Sequence, residues 1–391
     1  MIPADELDAL WAHHHAQWRD PMQVISLWEG AAGLDRRLLE YEVRGAFWET
    51  LAASDSTLIV TREYEHLIFA LAHDGAQPRI TYLRAPHPSG VAYDTARGIV
   101  HIACTRNPNQ VISFKPLTGV APRLDLPTDA PDNRPLMPLR STFYPGSLYM
   151  HDLAMIGGEL HANSVGQNAV VRLYDDGRHE KVWYPRCIER DGVPVFGQNH
   201  IQLNSIAAGE TPESSYYSAS ADEMTELRPG HPDFPVDRRG VLFSGATREP
   251  VARGLTRPHS ARLYDGRVWI DNSGYGELVY TDESGVTVAA RLPGWTRGLG
   301  FAGKIAFVGT SRVIPRFRQY APGLDVDESV CGLHAVDVTS GAVLGSLIWP
   351  YGNQIFAIEP LPRAFTSGFA FDALAERATE QETRVFYAYQ T

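Results

Sequence analysis

His151 to Gly177 reads HDLAMIGGELHANSVGQNAVVRLYDDG, and His259 to Gly285 reads HSARLYDGRVWIDNSGYGELVYTDESG. The two stretches align without a gap. Gly158 matches Gly266, Gly166 matches Gly274, Val171 matches Val279 and Gly177 matches Gly285. Each runs histidine, short strand, Gly turn, second strand, polar bend, third strand, acidic-Gly turn. An internal repeat of short antiparallel strands is the mark of a β-propeller blade. Each copy opens with a histidine at the start of its innermost strand, the position that lines a propeller's central channel. The repeat points to the fold and to a site together.

Working outward, short strands separated by Gly, Asp and Asn turns begin at Ser56. Six innermost strands are expected, starting near Ser89, His151, Asn204, His259, Arg297 and Phe356. The strands from TLIVTRE to ITYLRAP have no innermost strand of their own near the N-terminus. The late stretch NQIFAIEPLP is the candidate to supply it and so close the ring, because an open sheet edge invites aggregation. The expectation is an all-β, six-bladed β-propeller over 56–391, with a helical extension over 1–55. A seventh blade fits only if residues 106–148 conceal one. Residues 118–148 read as an irregular Pro-rich insertion. Residues 311–330 read as a second insertion, of the kind that covers a channel mouth. The apolar spacing in DELDALWAHHHAQW and in RRLLEYEVRGAFWETLAA predicts two helices. His13–His15 lie in the first and, pointing in different directions, do not form one metal site. TSGFAFDALAERATEQ reads as partly helical.

Composition narrows the function classes. The chain has 391 residues, 44% hydrophobic and 21% charged, with a net charge of −11 and no Lys/Arg run. A nucleic-acid partner is not expected. No apolar stretch reaches the roughly 18 residues that span a bilayer, so no membrane role is expected. Cys104, Cys187 and Cys331 are too few and too scattered for a disulfide framework or a cysteine zinc site. With an acidic start, MIPADELDALW, the expectation is a cytoplasmic, reduced protein. No strand-linked GxGxxG, GxxxxGK[ST] loop or GxSxG elbow is present, so no nucleotide cofactor and no serine hydrolase is expected.

The aligned inner strands give a ring of first positions: Ser89, His151, Asn204, His259, Arg297 and Phe356. Alternation along a strand adds a second layer of His87, Tyr149, Gln202, Arg257, Trp295 and Gln354, with His200 one step further out. Such polar and aromatic groups suit a wet channel gripping a small polar molecule. Imidazoles from separate blades suit a divalent metal ion (Zn, Mn or Fe). The candidate ligands are His151, His259 and His200, with Asn204 or Gln202 as an oxygen donor and His87 as a fourth. Arg297 is the candidate anion handle, and His200 or His87 the proton carrier. Ser89, Tyr149, Gln202, Trp295 and Gln354 are candidate substrate contacts, with Tyr275 a further wall. Arg262 is expected to face away from the ring and Asp152 into a blade interface. Asn163 and Asp271 are expected to cap turns, and His101 and His161 to be buried and bonded.

The run PHSARLYDGRVWIDNSGYGEL, then LPGWTRGLGFAGKIAFVGTSR, then GNQIFAIEPLP, resembles a bacterial β-propeller family of conserved hypothetical proteins. That family is similar in architecture to gluconolactonase and strictosidine-synthase six-bladed propellers. The segments MHDLA, LNSIA, RPHSAR and WTRGL carry the resemblance. Gln202 stands where the family carries His, and Gln354 where it carries Glu, so no carboxylate ligand is implied there. The reading is a metal-dependent lyase, hydrolase or isomerase acting on a small polar or anionic metabolite in the axial channel. A metal-free His acid–base pair, a four-histidine iron oxygenase and a non-catalytic scaffold are the alternatives. Oligomeric state is not legible.

Overall fold

The two aligned stretches fold alike in a computed structural model of the chain, which describes residues 3–18, 35–73, 77–105, 109–121, 134–370 and 389–390. The first forms strands Met150–Ile156, Glu159–Ser164 and Ala169–Leu173, followed by His179–Trp183. The second forms Pro258–Tyr264, Arg267–Asn272 and Glu277–Asp282, followed by Gly285–Arg291. Each is a four-stranded antiparallel meander, hydrogen-bonded in chain order. These are the third and fifth of six blades. The second runs from Pro88–Asp94 to Leu136–Tyr144, and the fourth from Leu203–Ala207 to Pro250–Leu255. The sixth runs from Trp295–Ala302 to Val343–Ile348.

The first blade closes the ring. Its strands Ser56–Arg62, Leu67–His73 and Pro78–Arg84 take their innermost partner, Ala357–Pro362, from near the other end of the sequence. Thr61 pairs with Ala357 and Ile59 with Glu359. Blades stack face to face, so a middle strand is covered on both sides. LIFALAH (67–73) is buried along almost its whole length, which is why it reads as a continuous apolar run. Between the second and third blades Ala103, Val111, Leu153, Ala162 and Val171 form one such filling.

Two expectations change. The 106–148 stretch holds the outer strand Leu136–Tyr144 of the second blade, not a seventh blade. Pro138 sits at a register shift in that strand and masks the strand pattern. Residues 36–53 do not form one helix. Glu42–Gly45 adds a fifth, outermost strand to the sixth blade, pairing with Val343–Ile348. Gly45, at φ 62°, turns the chain into a helix at Phe47–Ala53. The helical reading of the C-terminal stretch falls largely on 371–381, outside the described residues. The first helix, Ala4–Trp18, is present, with His13 exposed on it. No helix among the described residues is long and apolar enough to cross a membrane.

Candidate functional site

Five of the six inner strands share one irregularity. Register shifts fall between Pro88 and Val91, Met150 and Leu153, Leu203 and Ser205, His259 and Arg262, and Thr296 and Leu299. Four of the shifts enclose a ring residue, Ser89, His151, Asn204 or Arg297, and the fifth begins at His259, which stays paired with Asp271. A bulge bends its strand and re-aims the side chain it carries. In four blades the residue two positions earlier is left-handed: His87 (φ 46°), Tyr149 (52°), Gln202 (49°) and Arg257 (53°). Non-glycine residues pay strain there, and such strain clusters at functional sites. The closing blade has an unbroken register, and Phe356 precedes its inner strand.

Apart from Ser89, these ring side chains line a cavity of about 510 Å³. Its floor joins four blades. The His151 and His259 ring centroids are 5.8 Å apart, and both rings stand edge-on to Phe356, at 5.5 and 5.6 Å. The Arg297 guanidinium lies over the Phe356 face, 3.5 Å from its centroid. Burial, and next to it the Arg297 charge, holds His259 well below the ordinary histidine range, so it is neutral at pH 7. Its Nδ1 meets Ser260 Oγ at 3.0 Å, while its buried Nε2 has no hydrogen-bond partner.

The wall is cationic and aromatic. Arg257 donates to Gln202 Oε1 (3.0 Å) and Pro229 O (3.1 Å) and stacks on Tyr320 (4.4 Å). Burial lowers it to about 10, which leaves it charged. Arg228 adds a third cation and Glu63 a carboxylate. Trp295, Tyr64, Phe317 and Tyr320 supply ring surface. Phe317 and Tyr320 come from the 311–330 insertion, whose apolar cluster includes Leu7 and Trp11 of the first helix. The insertion therefore does cover the channel mouth, and the N-terminal helix supports it.

Of the residues singled out from sequence, Tyr149, His151, Gln202, Asn204, Arg257, His259, Trp295 and Arg297 line this cavity. Phe356 lies beneath His151, His259 and Arg297 rather than in the lining, and five others are placed elsewhere. Ser89 is buried, its hydroxyl between Ala103 O and Met150 O, so it ties two blades. The left-handed turn at His87 puts its ring against His66, centroids 4.5 Å apart, with its N–H donating to His66 Nδ1. Gln354 accepts the Tyr64 N–H and lines a small neighbouring recess. His200 fails because the left-handed Gln202 breaks the alternation that was to carry it to the axis. Its N–H is instead anchored on Asn168 Oδ1 at 2.9 Å. Tyr275 turns outward to Asp237.

The expected metal does not fit this set. Two imidazoles converge, not three, and a guanidinium sits beside them where a dication would be repelled. Of the two expected oxygen donors, Gln202 Oε1 already accepts from Arg257, which leaves the Asn204 oxygen alone beside two imidazoles. Among the described residues no three His, Cys, Asp or Glu side chains are grouped to hold a metal ion. The four histidines of the iron alternative do not converge: His87 lies against His66, His151 faces His259, and His200 stands apart with its N–H on Asn168.

Arg262 and Asp152 meet outside the cavity lining. Arg262 of the fifth blade reaches Asp152 of the third, 2.8 and 3.2 Å through two nitrogens, and Asp152 accepts the Ile206 N–H of the fourth. Sequence reasoning missed Glu63, Tyr64, Asn199, Arg228, Phe317, Gln319 and Tyr320. The last three lie in the insertion already marked as a cover, whose aromatic residues were the available signal.

Residues 45–368 match the model of a domain of unknown function, DUF4915. No curated protein sequence matches the chain. Among solved structures, one from a nidogen/laminin complex aligns with a TM-score of 0.50 at 9% identity, covering 78% of this chain and 98% of its own. A protein of unknown function from Bacteroides caccae aligns at 0.47 and 11% identity, covering 78% and 98%. A gluconolactonase from Xanthomonas campestris aligns at 0.44 and 13%, covering 76% and 86%.

Proposed function

We propose, for a chain that belongs to the DUF4915 family, that the axial cavity binds a small polar metabolite bearing a carboxylate or phosphate and acts on it by acid–base chemistry. The observation that carries this reading is the Arg297 guanidinium on Phe356 with His151 and His259 beside it. A guanidinium in a buried pocket holds an oxyanion through two parallel hydrogen bonds. Arg257 and Arg228 add to the positive field. Asn199, Gln202, Asn204 and Glu63 suit hydroxyl groups, and the aromatic walls suit the carbon skeleton between them.

Binding an anion also changes the histidines. Arg297 is the second cause of the depressed affinity of His259 for a proton. An oxyanion on Arg297 offsets that charge and moves His259 toward the range where it exchanges protons at neutral pH. Proton transfer of this kind serves elimination, isomerisation or hydrolysis, with His151 and His259 taking the two ends of the transfer. The partner is a small molecule; nothing in the charge pattern favours nucleic acid or lipid.

The test is calorimetric titration with small hydroxy-carboxylates and sugar phosphates, each beside its neutral amide or dephosphorylated counterpart. The reading predicts that a charged compound binds, its neutral counterpart does not, and Arg297→Ala weakens the charged one at least about tenfold, or about 1.4 kcal/mol. Equal binding of neutral counterparts, or unchanged binding by the variant, would overturn it.

A further inference from the structure

A buried arginine with no acid beside it is unusual, because its charge has left water without a compensating one. Arg257 is such a residue. It is 8% exposed, and among the described residues no carboxylate pairs with it. Both of its hydrogen bonds leave from one nitrogen, Nη1, to Gln202 Oε1 and Pro229 O. A guanidinium carries five N–H donors, so Nε and Nη2 keep three. Those two nitrogens make no hydrogen bond among the described residues and are not sealed off; they open on the cavity that Arg257 lines. Nε and Nη2 together form one edge of the guanidinium, the edge that grips an oxyanion through two parallel bonds.

This edge stands at the other end of the cavity from Arg297. Arg297 lies on Phe356 at the floor. Arg257 stacks on Tyr320, which belongs to the insertion covering the mouth. Arg228 enters the same end, from the loop whose Pro229 O holds Arg257 and whose Gly230 O accepts the Tyr320 hydroxyl at 3.3 Å. Arg228 too has no carboxylate partner among the described residues. Glu63 is the one carboxylate among the described lining residues; it comes from the first blade and accepts from Thr105. Resting on the anion-binding reading above, we infer that the cavity takes a metabolite with two anionic groups, one on Arg297 at the floor and one on the open edge of Arg257 at the mouth, with Arg228 beside it.

The compound is a short hydroxylated carbon chain with a carboxylate or phosphate at each end. A single anion on Arg297 leaves the Arg257 charge uncompensated. Burial foremost, with the Arg297 charge adding to it, already weighs against that charge, and an anion at each station relieves both cations. The two stations divide the work. The floor anion lies beside His151 and His259, where the proton moves. The mouth anion is remote from them, and its binding energy holds the chain in register for that transfer. Asn204 and the aromatic walls meet the stretch between.

The experiment is calorimetric titration of the full chain with hydroxylated dicarboxylates and hydroxy-acid phosphates of graded chain length. Each is set beside the two counterparts in which one anion or the other is replaced by a neutral amide or hydroxyl. At least one bis-anion is expected to bind about tenfold or more tighter than both of its mono-anions. Arg257→Gln is expected to abolish that advantage, and Arg257→Lys, which keeps the charge but loses the two-nitrogen edge, to reduce it. Arg228→Ala alters an exposed side chain, so it keeps the fold even where an Arg257 variant does not, and it is expected to reduce the advantage as well. Mono-anions that bind as tightly as every bis-anion would overturn the inference. So would an advantage that persists in folded Arg257→Gln or, where that variant does not fold, in Arg228→Ala. In either case a mono-anion that still outbinds its neutral form leaves the single-anion reading standing, whereas no preference for charge at all removes both.

Discussion

Phe356 is the one apolar member of an otherwise polar ring, and its role follows from what stands on it. The Arg297 guanidinium covers its face and two imidazoles stand perpendicular to it. A flat apolar platform holds these groups in place without competing for their hydrogen bonds. His151 and His259 were legible because the repeat put them in register at strand starts, and Arg297 because the inner strand RGLGFA aligns with them. Glu63 and Tyr320 were not, because nothing in a turn or an insertion marks which side chain faces the axis. A residue outside the cavity lining gives a pH signature. Burial pushes the Glu359 carboxyl up to about 7, Asp152 adding to this and Arg262 opposing it. In the unfolded chain a glutamate titrates near about 4.3. Between those values the folded protein keeps a proton that the unfolded chain has lost. Stability contributed by this group is therefore present at low pH and lost as pH rises to about 7. Glu359→Gln is expected to flatten that fall, gaining on wild type at pH 8 relative to pH 5. Urea denaturation at the two values checks it, and parallel behaviour would contradict it.

At the scale of elements, the bulged inner strand joins fold to site. The bulge re-aims a ring side chain, and it also brings neighbouring backbones close. Gly90, inside the bulge of the second blade, has room for no side chain: a Cβ there would run into the Asp152 and Leu153 backbone of the third. Gly90→Ala is expected to destabilise the protein by about 1–3 kcal/mol by forcing the two blades apart. Denaturant midpoints at constant slope would measure it. A neutral substitution would mean the inner strands do not pack as described. The starts of the inner strands could be read from sequence, since Gly turns and apolar runs delimit them. The bulges could not, because an inserted residue leaves no compositional trace. Alternation therefore carried His200 to the axis on paper, while the left-handed Gln202 turns the chain away. Glu42–Gly45 was misread for a different reason. Its four residues are all exposed, and the open edge of a distant strand decides their conformation.

For the whole molecule the decisive event is closure of the ring. Glu65 Oε1 accepts from Arg62 and from the Asn353 and Gln354 N–H groups, just before Phe356 enters the site. The Arg62–Glu65 pair is 0% exposed, and the guanidinium packs on Phe69 and Trp349. Removing one member of such a pair strands a buried charge. Arg62→Met is expected to cost about 3–5 kcal/mol and to loosen the C-terminal strand first, seen as faster amide exchange over 355–362. The closing strand was legible as an orphan apolar segment, but the ion pair behind it was not, since REYEH reads as a polar turn. The central claim, that this closed ring performs acid–base chemistry on a small anion, is tested most directly by mixing the protein with a metabolite extract and following every compound by mass spectrometry. Wild type is predicted to convert at least one carboxylate- or phosphate-bearing compound that the folded His151→Ala, His259→Ala protein leaves untouched. An anion that binds both proteins while no compound is converted by either would contradict the account and leave a binding protein in its place.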